Sequence, residues 1–211
     1  LLASSAASDV YKRQGLIYRL DNYIWEEAAK QLKIWKDSGY NYYISVNISA
    51  KDFYHIDVYQ TFKNLVSKYG IDTDKLHIEI TETALSEDKQ AAHKTIERLH
   101  DEGFIIEIDD FGSGYSSFNF LKDVCADVIK IDRVFLKKSS HEERGEQILR
   151  SIISLSHDIG MDVITEGVEN VDQLSMLAKM NCDWFQGYYF SKPIAVGDFE
   201  EKYGIKAVSY T

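Results

Sequence analysis

The sequence contains little proline, little cysteine and no long apolar run. Its 211 residues include one proline, Pro193, and two cysteines, Cys125 and Cys182, which form no Cys-x-x-Cys motif. The lack of a Pro-rich linker predicts a single domain. The cysteines indicate neither a disulfide scaffold nor a zinc site, which favours a reducing, cytoplasmic compartment. No segment approaches the roughly 18 apolar residues of a membrane span, so we expect no membrane contact by this segment.

Basic residues are also scarce relative to acidic ones. The chain has 24 Lys and Arg against 34 Asp and Glu, a net charge of −10. This balance argues against a nucleic-acid polymer as partner, because no basic stripe is available to neutralise a phosphate backbone. It is compatible with a small phosphorylated ligand held through metal ions, since bound cations reverse the local charge.

The first 14 residues differ in character from the rest. The string LLASSAASDVYKRQ has no basic residue at its N-terminal end and too short an apolar stretch for a signal peptide. We interpret residues 1–14 as a leader that is not native, with a disordered native linker as the alternative. Residues 15–205 are then the folded domain, and 206–211 a C-terminal tail.

From Gly15 onward, strand and helix patterns alternate. The apolar runs predict a parallel sheet covered on both faces, and the absence of a Gly-x-Gly-x-x-Gly turn favours an α/β barrel over a doubly wound sheet. Asp21 is the expected N-cap of the first helix, and Gly70 the end of the second. The predicted strands cover 43–49, 76–81, 104–110, 128–132, 162–166 and 184–190; the predicted helices cover 21–38, 57–69, 88–102, 116–123 (in part), 141–159 (in part), 171–180 and 197–203.

Each predicted strand ends in polar residues suited to chemistry. Active sites of α/β barrels lie at these strand ends. Converging carboxylates repel one another unless a cation intervenes, and hard oxygen ligands suit Mg²⁺ or Mn²⁺. The pattern therefore predicts metal-assisted hydrolysis of a phosphate ester. The residues are Asn47, Glu79 with Glu82, Asp109 with Asp110, Lys130 with Asp132, Glu166 with Glu169, and Gln186.

Structural explanations remain open for several of these residues singly. Asn47 could be a buried amide that is fully hydrogen-bonded, and Lys130 a surface lysine with a buried stem. The segment FGSGYSS at 111–117 is either a flexible turn or a mobile active-site loop. The aromatic residues are most simply core, although one or two near the strand ends could stack on a base; they include Tyr42, Tyr43, Phe118, Phe120 and Tyr188.

Six segments together resemble one protein family. VNISA, IEITET, IDDFGSGYSS, VIKIDRVF, TEGVEN and FQGYYFSKP are similar to motifs of the EAL-domain phosphodiesterases, which hydrolyse cyclic di-GMP in bacterial second-messenger signalling. The resemblance implies a (β/α)₈ barrel with two Mg²⁺ or Mn²⁺ ions and linear pGpG as the product.

The resemblance also implies a role for each site residue. Asn47 and Glu79 would bind the first metal, Asp109 would bridge the two ions, and Asp110 with Glu166 would hold the second. The implied catalytic residues are Lys130, which would position or activate the attacking water, and Glu166. Gln186 would help order water and substrate, and Glu82 would anchor the FGSGYSS loop.

One family feature is missing from the sequence. No Glu-Ala-Leu tripeptide occurs in it, and the resemblance implies two further strands before Gly15, so we expect six of eight barrel strands. We therefore expect this fragment to be inactive alone; the alternative is a catalytically inactive cyclic di-GMP receptor or protein-interaction module. A homodimer and an upstream regulatory or diguanylate-cyclase-like domain in a longer parent protein are further expectations.

Overall fold

A computed structural model describes residues 17–86, 89–112, 118–137 and 142–206. These residues group into two compact units. The first comprises the described residues up to Ile105 and those from Pro193 onward, and the second comprises Ile106–Lys192. Within the described residues, no helix combines the length and the apolar character needed to cross a membrane.

The first unit packs helices against two parallel strands. Asn47 of one strand lies opposite Glu79 of the other. Three aromatic rings form its centre, with centroids 4.9 Å apart for Trp25 and Phe62 and 5.9 Å apart for Phe62 and Phe104. In chain order the elements are α1 (Ile17–Asp37), β1 (Ile44–Ile48), α2 (Ala50–His55), α3 (Val58–Tyr69), β2 (Leu76–Thr81), α4 (Glu82–Ser86), α5 (Lys89–Asp101) and α9 (Val196–Lys202).

Helix α1 begins earlier than the sequence pattern predicted. Its buried face includes Trp25, Ala28 and Leu32 and extends back to Ile17, so Asp21 lies inside the helix and its prediction as an N-cap is wrong. Ile17 is the first residue that the structure describes, so α1 includes at least the four residues before Asp21. Gly70 does end α3, with the left-handed φ of 61° that a glycine adopts without steric cost.

The second unit is a four-stranded parallel sheet with helical connections. The strands pair in chain order, and all four residues of the strand Val128–Ile131 are buried, as expected for a parallel strand covered on both faces. Its elements are β3 (Ile106–Phe111), α6 (Phe118–Asp123), β4 (Val128–Ile131), α7 (Glu142–Asp158), β5 (Asp162–Thr165), α8 (Val171–Lys179) and β6 (Trp184–Phe185), with a 3₁₀ turn at Arg133–Leu136.

The last strand is shorter than predicted. Only Trp184 and Phe185 form β6, because the chain turns at Gly187 to run beside Val168, whose amide donates to the carbonyl of Gln186 at 3.0 Å. The prediction of a strand to residue 190 is wrong. Tyr188, 61% exposed, is therefore not a core residue, and neither is Tyr43 of the first unit, 44% exposed.

The fold class is confirmed. Six strands alternate with helices among the described residues, and the strands within each unit are parallel. This is the α/β arrangement of an incomplete (β/α)₈ barrel, with six of the eight strands.

Candidate active site

A β-bulge at the end of β3 brings two consecutive carboxylates together. Ile108 pairs with Ile129 and Phe111 with Ile131, so β3 has one more residue than β4 between these pairs. Neighbouring residues of a regular strand point to opposite faces, but a bulge redirects one of them. Asp110 in this bulge has a φ of 56°, a left-handed conformation that costs most residues about 1–2 kcal/mol and that Asp tolerates better.

The bulge allows Asp109 and Asp110 to meet Glu166, the residue after β5. One carboxylate oxygen from each of the three residues lies within 4.8 Å of the other two. Glu166 is fixed by its backbone, since its amide donates to the carbonyl of Ile131 at 2.9 Å. Three converging carboxylates form a donor set suited to a hard divalent cation such as Mg²⁺ or Mn²⁺.

Lys130 of β4 lies within this group of carboxylates. Its Nζ is 2.8 Å from Glu166 Oε1 and 3.2 Å from Asp109 Oδ1, and its side chain is 4% exposed. The alternative of a surface lysine is therefore wrong. One ammonium group offsets only part of the charge of three carboxylates, so the cluster keeps a negative charge that a divalent cation would balance.

Two observations on the aspartates support such a cation. Burial is the largest cause that raises the pKa of Asp110, and the negative charges of Asp109 and Asp132 raise this pKa further. The positive charge of Lys130 lowers it in part. Asp109 Oδ1 is covered from solvent and, beyond its ion pair with Lys130, accepts no hydrogen bond from the described residues. A covered oxygen with an available lone pair, next to a carboxyl that resists ionisation, fits a metal ligand set.

A cavity of about 330 Å³ adjoins these carboxylates in the second unit. Gln186 lines it from the end of β6, where the backbone amide of Gln186 donates to the backbone carbonyl of Thr165 at 3.0 Å. Gly187 holds this segment close to β5, because a Cβ there would lie 2.1 Å from the carbonyl oxygen of Val168. The lining includes Asp110, Asp132, Glu166, Glu169, Arg133 and Gln186.

The other two predicted ligands lie opposite each other in the first unit. Asn47 and Glu79 are partners in the parallel register of β1 and β2, and register partners point to the same face of a sheet. Glu79 is buried. Asn47 is exposed, so its side chain is not a buried structural amide. Its backbone carbonyl accepts a hydrogen bond from Trp25 Nε1 at 2.9 Å. Their assignment to a first metal, and the bridging role of Asp109, stay predictions.

Glu82 opens helix α4 in the first unit. Its predicted partner, the segment 111–117, is described only at Phe111 and Gly112, and residues 113–117 lie outside the described residues. Gly112 has a φ of 90°, and a Cβ there would lie 2.2 Å from the Phe135 ring. The anchoring role of Glu82, and the choice between a flexible turn and a mobile loop, stay predictions.

Sequence reasoning did not name three residues that line the cavity, Arg133, Gly167 and Gly187, and it favoured a core position for a fourth, Tyr188. The predicted site residues stopped at Asp132, where β4 was expected to end, although the motif VIKIDRVF includes Arg133, and Tyr188 was most simply a core residue, with stacking on a base as the alternative. The available signal was their position, since each follows a predicted strand-end residue within three positions.

Comparison with known proteins agrees with this fold. The EAL domain family matches residues 3–193. The signaling protein YkoW of Bacillus subtilis is 37% identical over 192 residues, covering 91% of this chain and 24% of its own length. MucR of Pseudomonas aeruginosa, a bifunctional diguanylate cyclase/cyclic di-GMP phosphodiesterase, is 32% identical over 184 residues, covering 87% of this chain and 27% of its own length.

A solved structure gives the same result. The PaMucR phosphodiesterase in complex with c-di-GMP superposes with a TM-score of 0.83 at 30% sequence identity, covering 90% of this chain and 78% of that one. Fold, site and sequence thus define an α/β domain with a carboxylate centre, and this chain belongs to the EAL-domain family. It spans about a quarter of the length of these two curated relatives.

Proposed function

We propose that this domain takes part in the metal-dependent hydrolysis of cyclic di-GMP to linear pGpG. The observation that carries the proposal is the convergence of Asp109, Asp110 and Glu166 around the buried ammonium of Lys130. Membership of the EAL-domain family supplies the substrate, since the relative MucR is named for cyclic di-GMP phosphodiesterase activity.

The carboxylate cluster is the proposed metal site of the second unit. Asp109, Asp110 and Glu166 would hold one Mg²⁺ or Mn²⁺ ion, and Asn47 with Glu79 are the proposed ligands of the first metal. The ions would supply an activated water near neutral pH and stabilise the charge of the phosphoryl transition state.

Lys130 has the position of a residue that orients the nucleophile. Its Nζ is held by Asp109 and Glu166, and these ion pairs favour the charged form. A charged ammonium can donate a hydrogen bond to water and attract a phosphate oxygen, but it does not remove a proton. The side chain of Gln186, at the cavity, would order water and substrate through its amide.

We also propose that the 211-residue chain alone does not turn over. No Glu-Ala-Leu tripeptide occurs in its sequence, and the family resemblance implies that the carboxylate of that motif is a further ligand of the first metal, beside Asn47 and Glu79. A metal site that lacks one ligand loses affinity and no longer fixes the coordination geometry.

A test compares the chain with the protein expressed from its complete reading frame. Each is incubated with cyclic di-GMP and Mg²⁺ or Mn²⁺, and the nucleotides are separated by chromatography. We expect pGpG from the complete protein, none after chelation of the metal, and none from the Glu166→Gln variant. If the complete protein binds cyclic di-GMP and leaves it intact with either metal, the inactive-receptor alternative holds instead.

A further inference from the structure

The cavity beside the carboxylate cluster contains one cationic side chain among the residues that line it. The acidic residues Asp110, Asp132, Glu166 and Glu169 line it together with Arg133. A lone arginine among four acidic groups would ordinarily form an ion pair with one of them.

Arg133 forms no such pair. Within the part of the chain that the structure describes, no carboxylate lies in ion-pair contact with its guanidinium, whereas Lys130, three residues earlier, contacts two. Asp132 uses Oδ1 to accept a hydrogen bond from the Val134 amide at 2.7 Å, which turns this oxygen toward the backbone. The charge of Arg133 is thus left for a ligand.

The stem of Arg133 is held against the loop after β5. Gly167 has a φ of 72°, and a Cβ on it would lie 2.3 Å from Arg133 Cβ and 3.4 Å from Arg133 Cδ. The glycine therefore leaves the space in which the arginine stem lies, directly next to Glu166. This packing restrains the first part of the Arg133 side chain, although the residue as a whole is exposed, and so lowers the entropy that the arginine loses on binding.

We propose that Arg133 binds the second, uncleaved phosphodiester of the cyclic dinucleotide, an inference that rests on the proposed function. The substrate has two phosphodiesters in one ring, and a cluster that holds one of them for cleavage leaves the other on the opposite side of the ring. A planar guanidinium forms two parallel hydrogen bonds to phosphate oxygens.

Guanine is the competing ligand for this arginine, because its O6 and N7 also accept a bidentate pair. Phosphate is favoured because a phosphodiester carries a negative charge and accepts the charge-assisted hydrogen bonds of a guanidinium, whereas guanine is neutral. The exposed ring of Tyr188, in the same cavity, offers the base a stacking surface that needs no charged partner.

The test separates phosphate from base with two nucleotides. Cyclic di-GMP has two guanines and two phosphodiesters, and linear GpG has two guanines and one phosphodiester. Binding of each is measured by calorimetry to the protein from its complete reading frame, with Ca²⁺ as the cation so that binding is separated from cleavage. Chromatography verifies that the nucleotide stays intact, and thermal unfolding verifies that each variant is folded.

For Arg133→Gln we expect about a tenfold or larger loss of affinity for cyclic di-GMP and less than about a twofold change for GpG, whose single phosphodiester occupies the metal cluster. Arg133→Lys keeps the charge without the planar fork and should lie between Arg133→Gln and the wild type. Arg150→Gln, on an exposed arginine of α7, is the matched control and should bind both nucleotides as the wild type does.

The results that would overturn the inference differ from those that would overturn the proposed function. Equal losses for both nucleotides would assign Arg133 to the base, and no loss for either would remove it from the binding site; both overturn the inference and leave the proposed function intact. A wild-type protein that binds neither nucleotide and hydrolyses no cyclic di-GMP in Mg²⁺ overturns the proposed function, and the inference with it.

Discussion

At the scale of single residues, the site depends on backbone conformation as much as on side-chain type. Asp110 adopts a left-handed φ of 56° in the bulge of β3. Strained conformations of this kind occur where the surrounding structure enforces them, and they are common at functional sites. Here the strain accompanies a carboxyl whose pKa is raised by burial and by the charge of Asp109, so Asp110 is costly to the fold unless a cation is bound.

Replacement of Asp110 should therefore separate metal binding from stability. Asp110→Asn removes the charge, and Asn tolerates the left-handed conformation. We expect at least about tenfold weaker Mn²⁺ binding by calorimetry. In metal-free buffer, the free energy of unfolding of Asp110→Asn should equal that of the wild type or exceed it by less than about 1 kcal/mol. The variant loses a charge that neighbouring carboxylates repel, but solvent screens this repulsion because Asp110 is exposed.

Two companion variants complete that test. Asp110→Ala should lose the metal equally but be about 1 kcal/mol less stable than Asp110→Gly, because only glycine adopts this φ freely. Asp162→Asn, at an exposed position that begins β5, should bind Mn²⁺ as the wild type does. Wild-type Mn²⁺ affinity in Asp110→Asn would remove this residue from the ligand set.

Lys130 allows a second prediction at this scale. Lys130→Met leaves Asp109 and Glu166 without their cation, and breaking a buried ion pair on one side costs about 3–5 kcal/mol. The two carboxylates are 15% and 21% exposed, so we expect a loss of about 3 kcal/mol in chemical unfolding.

Added Mg²⁺ should stabilise Lys130→Met more than the wild type, because the ion takes over the compensation that the ammonium provides. Lys122→Met, at an exposed position of α6, is the matched control and should change stability little. A Lys130→Met protein as stable as the wild type in metal-free buffer would contradict the electrostatic account of this cluster.

At the scale of elements, the ends of the strands and the turns after them shape the site. The turn after β6 brings Gln186 to the cavity because Gly187 packs on the backbone of Val168. Apolar periodicity predicted the central residues of every strand. It also predicted that β6 extends to residue 190, but the aromatic residues at 188–190 lie on the surface. A hydrophobic pattern does not detect a close backbone contact, so the turn was missed.

Gly187→Ala should displace this turn. Its Cβ would lie 2.1 Å from the oxygen and 2.3 Å from the nitrogen of Val168, which is itself buried and cannot move aside. Overpacking of this kind costs about 1–3 kcal/mol, and nucleotide binding should weaken as Gln186 shifts.

The helical glycine of α9 serves as the control for that variant. Gly197 has no atom within 4 Å of the position of an added Cβ, so Gly197→Ala should stabilise the protein by up to about 1 kcal/mol. Chemical unfolding of both variants checks the pair, and equal stability of the two would refute the close contact at Gly187.

At the scale of the whole molecule, sequence predicted the elements and the candidate residues better than their geometry. The six strands, the seven predicted helices and the fold class follow from periodicity and are confirmed, but the short helices α2 and α4 were not predicted. The position of Asp109 and Asp110 at a strand end was predicted, but the bulge that redirects them was not, because register is set by pairing between strands. Arg133 was missed because its role depends on a neighbouring loop with a glycine.

The central claim is that Asp109, Asp110 and Glu166 form a site for a divalent cation. The most direct test is anomalous diffraction from crystals grown with saturating Mn²⁺. The account predicts a manganese peak bonded to oxygens of all three carboxylates, with Lys130 beside it. A well-ordered site that contains no manganese at saturation, or manganese bound only elsewhere, would contradict the account.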